Sequence, residues 1–312
     1  MKNVDKKKVG AMLGRILMLA SLVFIVVRIL QYNIDITVLA SPGVVIGLIL
    51  AALVFGISIF LTAFNFRWLV KVLSGVHANK KLVVGIYCIT NLYKYIPGNV
   101  MHFIGRNRLA IETENLSHAK VAFATVTDNV FLFIAAILIS IICSFDYFLS
   151  FFRQASISHT IVIIIVVVVV IVFICLVVFR KRIEKWYRDY INSLKGFRFS
   201  DIARHLGICV LRLLVLAATY VATLALLGQY ITPEMAPRIL GLFVLSWVIG
   251  FAVPGAPGGL GIREAILLMF MSDTLSESLL ITSTIIHRVV CVLGDILAYV
   301  ISLIYLKIHP DT

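Results

Sequence analysis

Eight ionisable side chains interrupt otherwise apolar stretches of the chain: Lys94, Arg106, Asp128, Arg212, Arg263, Glu264, Arg288 and Asp295. Charged groups are expensive where water is excluded, so each is a candidate for ligand binding, ion conduction or structural pairing. Five are basic and three acidic, an excess that suits a cavity for an anion. Two breaks adjoin them, Tyr95-Ile96-Pro97-Gly98-Asn99 and the glycine-rich stretch from Pro254 to Gly261. Proline removes a backbone donor and glycine relaxes a helix. A half-helix starting near Gly98 or Gly261 would aim free N–H groups and a positive dipole end inward, a ready phosphate site. The candidate substrate-binding set is therefore Lys94, Pro97, Gly98, Arg106, Gly255, Gly258, Gly259, Gly261, Arg263, Glu264 and Arg288. Asp128, Asp295 and Arg212 are candidates for ion coupling or structural pairing. Asp295 would pair with Arg212, and Asp128 with Lys94 or Arg106. The plainer alternative for the glycines is close helix packing, and for His287 a hydrogen-bonded packing role.

Other chemistries find little support. No Ser/His/Asp set, paired-carboxylate site or metal-ligand constellation stands out, so no catalytic residue, metal or cofactor is expected. Cys88, Cys143, Cys175, Cys209 and Cys291 form no Cys-x-x-Cys and read as small buried hydrophobes. Pro254 to Ala265, PGAPGGLGIREA, lacks the preceding strand and the lysine-serine pair of a nucleotide-binding loop.

The elements that must position these residues are membrane helices. The chain is 61% hydrophobic and 14% charged, with a mean hydropathy of +1.06, too few charges to cover a water-facing surface. Its apolar residues come in runs of bilayer length: Ala11 to Leu30, Val44 to Phe64, Val121 to Cys143, Thr160 to Phe179, Leu206 to Leu227 and Leu279 to Leu306. The first run follows Lys6-Lys7-Lys8 and reads as a retained span, since no clean cleavage site ends it. The expected fold is a single all-α membrane domain over residues 1–312, with about six spanning helices and two re-entrant broken-helix hairpins, Leu82 to Ile104 and Ile239 to Phe270, a kinked span being the alternative for the second.

The formal net charge of +13 is best read loop by loop. With both termini cytoplasmic and the first broken segment a hairpin, Arg67, Lys71, Lys80, Lys81, Arg106, Arg108, Lys120 and the basic stretch from Arg180 to Arg204 all fall inside. A full crossing would place that basic stretch outside. It also carries Trp186, Tyr187, Tyr190 and Phe197, the composition of an amphipathic helix on an inner leaflet. Lipid headgroups, not nucleic acid, are the expected partners of this charge. The two broken segments match at an offset of 157 residues: Pro97-Gly98 with Pro254-Gly255, Arg106 with Arg263, Thr125 with Thr282, and Thr127 with Thr284. Repeat 1 covers about residues 82–143 and repeat 2 about 239–306. Hairpins entering from opposite sides make this an inverted repeat, as in many transporters.

On the stretches IPGNVMHFIGR, Ile96 to Arg106, and PGAPGGLGIREA, the chain resembles the membrane half of the lysylphosphatidylglycerol synthase/flippase family. The resemblance implies a multispan bundle with re-entrant helices that moves anionic or aminoacylated phospholipids, or polyprenyl-linked lipids, across the cytoplasmic membrane. In a translocator whose two inverted hairpins frame a basic cavity, Arg106 and Arg263 would recognise phosphate, helped by the hairpin N–H groups. Full-length relatives append a cytosolic domain that transfers lysine from tRNA to phosphatidylglycerol. The sequence ends at Thr312, just after its last span, so that activity is not expected without a separate aminoacyltransferase. A membrane subunit serving a glycosyltransferase is the remaining alternative.

Overall fold

The computed structural model describes residues 41–75, 79–95, 101–114, 116–154, 184, 188–192, 194, 197–252, 259 and 261–308. Among these residues the chain is helical, with no strand. In chain order the helices are α1 (Pro42–Ser74), α2 (Lys80–Asn91), a 3-10 turn (Leu92–Tyr95), α3 (Met101–Glu114), α4 (His118–Gln154), α5 (Phe199–Leu226), α6 (Met235–Ala252), α7 (Ile262–Met271) and α8 (Glu277–Ile308). The expected spans Ala11 to Leu30 and Thr160 to Phe179 lie outside the described residues.

Five described helices are long and apolar enough to cross a membrane: Pro42–Ser74, His118–Phe145, Phe199–Leu226, Met235–Ala252 and Glu277–Lys307. Their outer faces confirm the solvent they expect. On α1 the exposed residues include Ile46, Ile49, Leu50, Val54, Ile57 and Leu61, while Ala51, Ala52, Phe55, Ile59, Ala63 and Phe66 are buried. A helix apolar on every face is stable only in a large core or in lipid. The chain is thus an all-α membrane protein.

The bundle is built around α1, which packs against α2, α4, α5 and α8. Its closest crossing is with α8, where Gly56 meets Gly294: a Cβ on Gly294 would lie 2.7 Å from the Ala52 carbonyl oxygen. Small residues let two backbones approach in this way. Buried hydroxyls along the helices return to their own backbone, as Thr62 does to the Ser58 carbonyl at 3.0 Å and Thr90 to that of Ile86 at 2.7 Å. Proline at the first turn of α1 and left-handed Gly75 at its end (φ 69°) mark its limits.

Two helices, α3 and α7, are shorter than a full span. α2 and α3 pack together, as do α6 and α7. α3 has 14 residues and α7 has 10, about 21 and 15 Å at 1.5 Å per residue. Both fall short of the roughly 30 Å hydrocarbon core. Each pair is followed by a long helix, α4 or α8.

Candidate functional site

The two pairs and the long helices α1, α4, α5 and α8 enclose a cavity of about 80 Å³. Lys94, Arg106, Arg212, Arg263 and Arg288 all line it, together with Asp128. Five basic residues scattered over 194 positions of sequence thus converge on one space. The wall also holds aromatic and amide side chains, among them Phe55, Tyr87, Trp247, Phe251, Asn91 and Asn129, together with His102, Cys291 and the aliphatic Leu132, Leu216 and Val292.

Lys94 is fixed by Asp295, at 2.6 Å. Asp295 is 1% exposed and also accepts hydrogen bonds from Asn91 Nδ2 at 2.6 Å and the Tyr95 hydroxyl at 2.5 Å. The anticipated pairing of Asp295 with Arg212 is therefore corrected: Asp295 sits on the α8 face against α2 and the 3-10 turn, whose donors reach it first. Asp128 likewise pairs with neither Lys94 nor Arg106. It faces α5, where His205 Nε2 stands 3.4 Å from Asp128 Oδ1. The reason in both cases is helix facing, which spacing along one chain does not determine.

Arg288 donates to the Gly259 carbonyl at 3.0 Å and lies 3.2 Å from Glu264 Oε1. Glu264 is absent from the cavity wall. Its other oxygen accepts the Gly261 N–H at 2.9 Å, so the start of α7 is capped by its own side chain. Gly259 has φ 73°, and a Cβ there would lie 2.9 Å from the Gly250 backbone; only glycine fits. These two glycines thus shape the break and orient Arg288. Pro97, Gly98, Gly255 and Gly258 lie outside the described residues.

Arg106 is 2% exposed, with its guanidinium 3.7 Å from the Tyr87 ring centroid and 4.7 Å from that of Phe66. Arg263 lies over Trp247 at 5.8 Å. The Nε atoms of both are buried without a hydrogen-bond partner. Among the described residues Arg106, Arg212 and Arg263 have no carboxylate within ion-pair distance. The aromatic platforms hold two of them by cation–π attraction, which positions a cation without neutralising it.

Sequence reasoning missed this platform, because Tyr87, Phe66 and Trp247 look like ordinary core aromatics. It also missed His205, whose only sequence signal is its position four residues before Cys209. His287 is held away from the cavity by Thr219, at 2.9 Å, and by the rings of Tyr220 and Phe243. Residues 188–192 of the basic stretch are helical, and Tyr190 docks on α4 through a 2.9 Å hydroxyl contact with Thr127. Trp186 and Tyr187 lie outside the described residues. No protein-family model matches the chain, and no curated protein sequence matches it.

Proposed function

We propose that this chain carries the headgroup of an anionic lipid, a phospholipid or a polyprenyl-linked phosphate, across the cytoplasmic membrane. The observation that carries the reading is the trio Arg106, Arg212 and Arg263, which line one cavity and, among the described residues, have no carboxylate within ion-pair distance. A buried charge left without a partner costs several kcal/mol. A phosphate oxygen in the cavity would offset that cost, and guanidinium groups are the side chains best shaped to hold one.

The helix pairs support an alternating-access route. α3 and α7 are too short to span, and each leads from a Pro-Gly break to an arginine on the cavity wall. The offset of 157 residues carries the end of α3, Glu114, onto Met271, the end of α7, which supports the repeat. The loop charges favour cytoplasmic termini and hairpins entering from opposite sides. α6, with its 18 residues, is long enough to cross, and the hairpin reading takes it as the long arm of the second pair. The resemblance to the lysylphosphatidylglycerol synthase/flippase membrane half points to the same substrate class. In this reading the chain is a carrier and not an enzyme.

The test is leaflet exchange. Purified protein in vesicles holding fluorescent phosphatidylglycerol or a polyprenyl phosphate should expose inner-leaflet probe to an external reductant faster than protein-free vesicles. Arg106→Lys and Arg263→Lys, at matched monodisperse yield, should each slow exchange about ten- to a hundredfold, the loss of one charge-assisted contact of roughly 1.5–3 kcal/mol. Exchange of both probes at the protein-free rate overturns the proposal. Wild-type exchange in both variants overturns the phosphate role of the arginines.

A further inference from the structure

We infer that Asp128, His205 and Cys209 form a metal site of the zinc class between α4 and α5. One ligand atom from each residue lies within 4.8 Å of the other two, and all three residues are buried. His205 and Cys209 are four apart on α5 and so share one face, while Asp128 projects from α4. This site is distinct from the anion-binding arginines and its argument does not depend on the transport reading.

The polar bookkeeping points to an ion. His205 is 0% exposed, yet neither ring nitrogen has a hydrogen-bond partner, and Asp128 Oδ1 is also without one. Buried groups of this kind are nearly always satisfied. The ring is instead walled by apolar partners, with Phe131 edge-on at 5.0 Å and Trp68 at 6.3 Å between centroids. The 3.4 Å between His205 Nε2 and Asp128 Oδ1 lacks the approach of a hydrogen bond. It equals the separation, roughly 3.4 Å, of two ligands held about 2.0–2.1 Å from a tetrahedral ion.

The donor set selects the metal. Imidazole, thiolate and carboxylate together suit borderline-soft Zn²⁺, whereas Mg²⁺ and Ca²⁺ favour oxygen alone. Binding requires that the Cys209 thiol release its proton to solvent. The thiolate and carboxylate then neutralise the divalent ion. Three protein ligands leave a fourth position open. Asp128 also lines the cavity, so binding turns one negative charge at its wall into a neutral site.

The experiment uses the full chain purified on a tag without histidine, stripped with a chelator and titrated with Co²⁺. The expected result is one Co²⁺ per chain, with the visible bands of a tetrahedral ion and a near-ultraviolet thiolate charge-transfer band. Cys209→Ser should abolish the thiolate band, and His205→Ala should weaken binding at least tenfold. Zn²⁺ should slow maleimide labelling of Cys209 in the otherwise wild-type chain, a readout that needs no variant to fold. Sub-stoichiometric Co²⁺ with unprotected Cys209 overturns the site, as does a thiolate band that survives Cys209→Ser in monodisperse protein.

Discussion

Replacing Asp295 probes the anchor on which one wall of the cavity depends. Its carboxylate takes hydrogen bonds from Asn91 and Tyr95 and pairs with Lys94, all within 2.6 Å. Asp295→Ala leaves three donors, one of them an ammonium, without an acceptor. A charge-assisted hydrogen bond contributes about 1.5–3 kcal/mol, and breaking a buried pair on one side costs about 3–5 kcal/mol. The Lys94 side chain keeps 21% exposure and can recover some hydration through the cavity. The loss should therefore sit near the lower end, about 3 kcal/mol. Asp295→Asn keeps an acceptor but no charge and should lose about half as much. Unfolding in detergent micelles, followed by helical signal against denaturant, measures both. A double-mutant cycle with Lys94→Met separates the ion pair from the two neutral bonds and should return at least about 1 kcal/mol of coupling. Additive effects of the two changes, or an Asp295→Ala protein as stable as wild type, would refute the pairing.

Gly259→Ala should destabilise by about 1–3 kcal/mol through strain at positive φ together with its clash on Gly250. Gly261→Ala, where φ is 80° but the space is open, should lose less; the order of the two melting temperatures checks this. Single cysteines at Lys80 and Lys195 should both be shielded from an impermeant reagent added outside intact cells, and labelling at Lys195 would reverse the proposed orientation. Purified protein given lysyl-tRNA and phosphatidylglycerol should form no lysylated lipid above a protein-free control. In the leaflet-exchange assay, phosphatidylglycerol should move faster than its lysylated, net cationic derivative, and the opposite order would argue against an anion cavity.

Hydropathy located the long helices but not their ends. The run Val44 to Phe64 continues as helix to Ser74, because Asn65, Arg67 and Lys71 are compatible with helix and only poor in lipid. In the same way α4 starts at His118, ahead of its apolar run, and passes a non-helical Ser144 on its way to Gln154. The cavity bases were legible because charges are rare at membrane depth and few other places could hold them. Their partners were not: Asn91 and Asp295 are 204 residues apart, and only the packing of α2 on α8 joins them. His205 falls between the basic stretch ending at Arg204 and the apolar run from Leu206 to Leu227, and belongs to neither pattern. Its burial against Trp68 and Phe131 is a tertiary fact, set by α1 and α4 closing over α5.

The distribution of acids around the cavity explains why some bases are tethered and others left free. Asp295 and Glu264 hold Lys94 and Arg288 at fixed points, each through a second contact to the break beside it: Tyr95 for Asp295, Gly261 for Glu264. These two ion pairs thus join long-range partners to the segments most weakened by proline and glycine. Of the three remaining guanidiniums, those of Arg106 and Arg263 lie over aromatic rings, which fix position and leave charge available. Five bases against Asp128, Glu264 and Asp295 leave two positive charges in excess. A phosphodiester brings one negative charge and a monoester or diphosphate about two, so either headgroup lowers the charge of the cavity without reversing it. A cationic headgroup would raise it in a space of low dielectric, where like charges repel most strongly. In the proposed transport reading, the same arrangement keeps the empty cavity costly, which favours release of one anion only as another environment, water or the opposite leaflet, becomes accessible to the arginines.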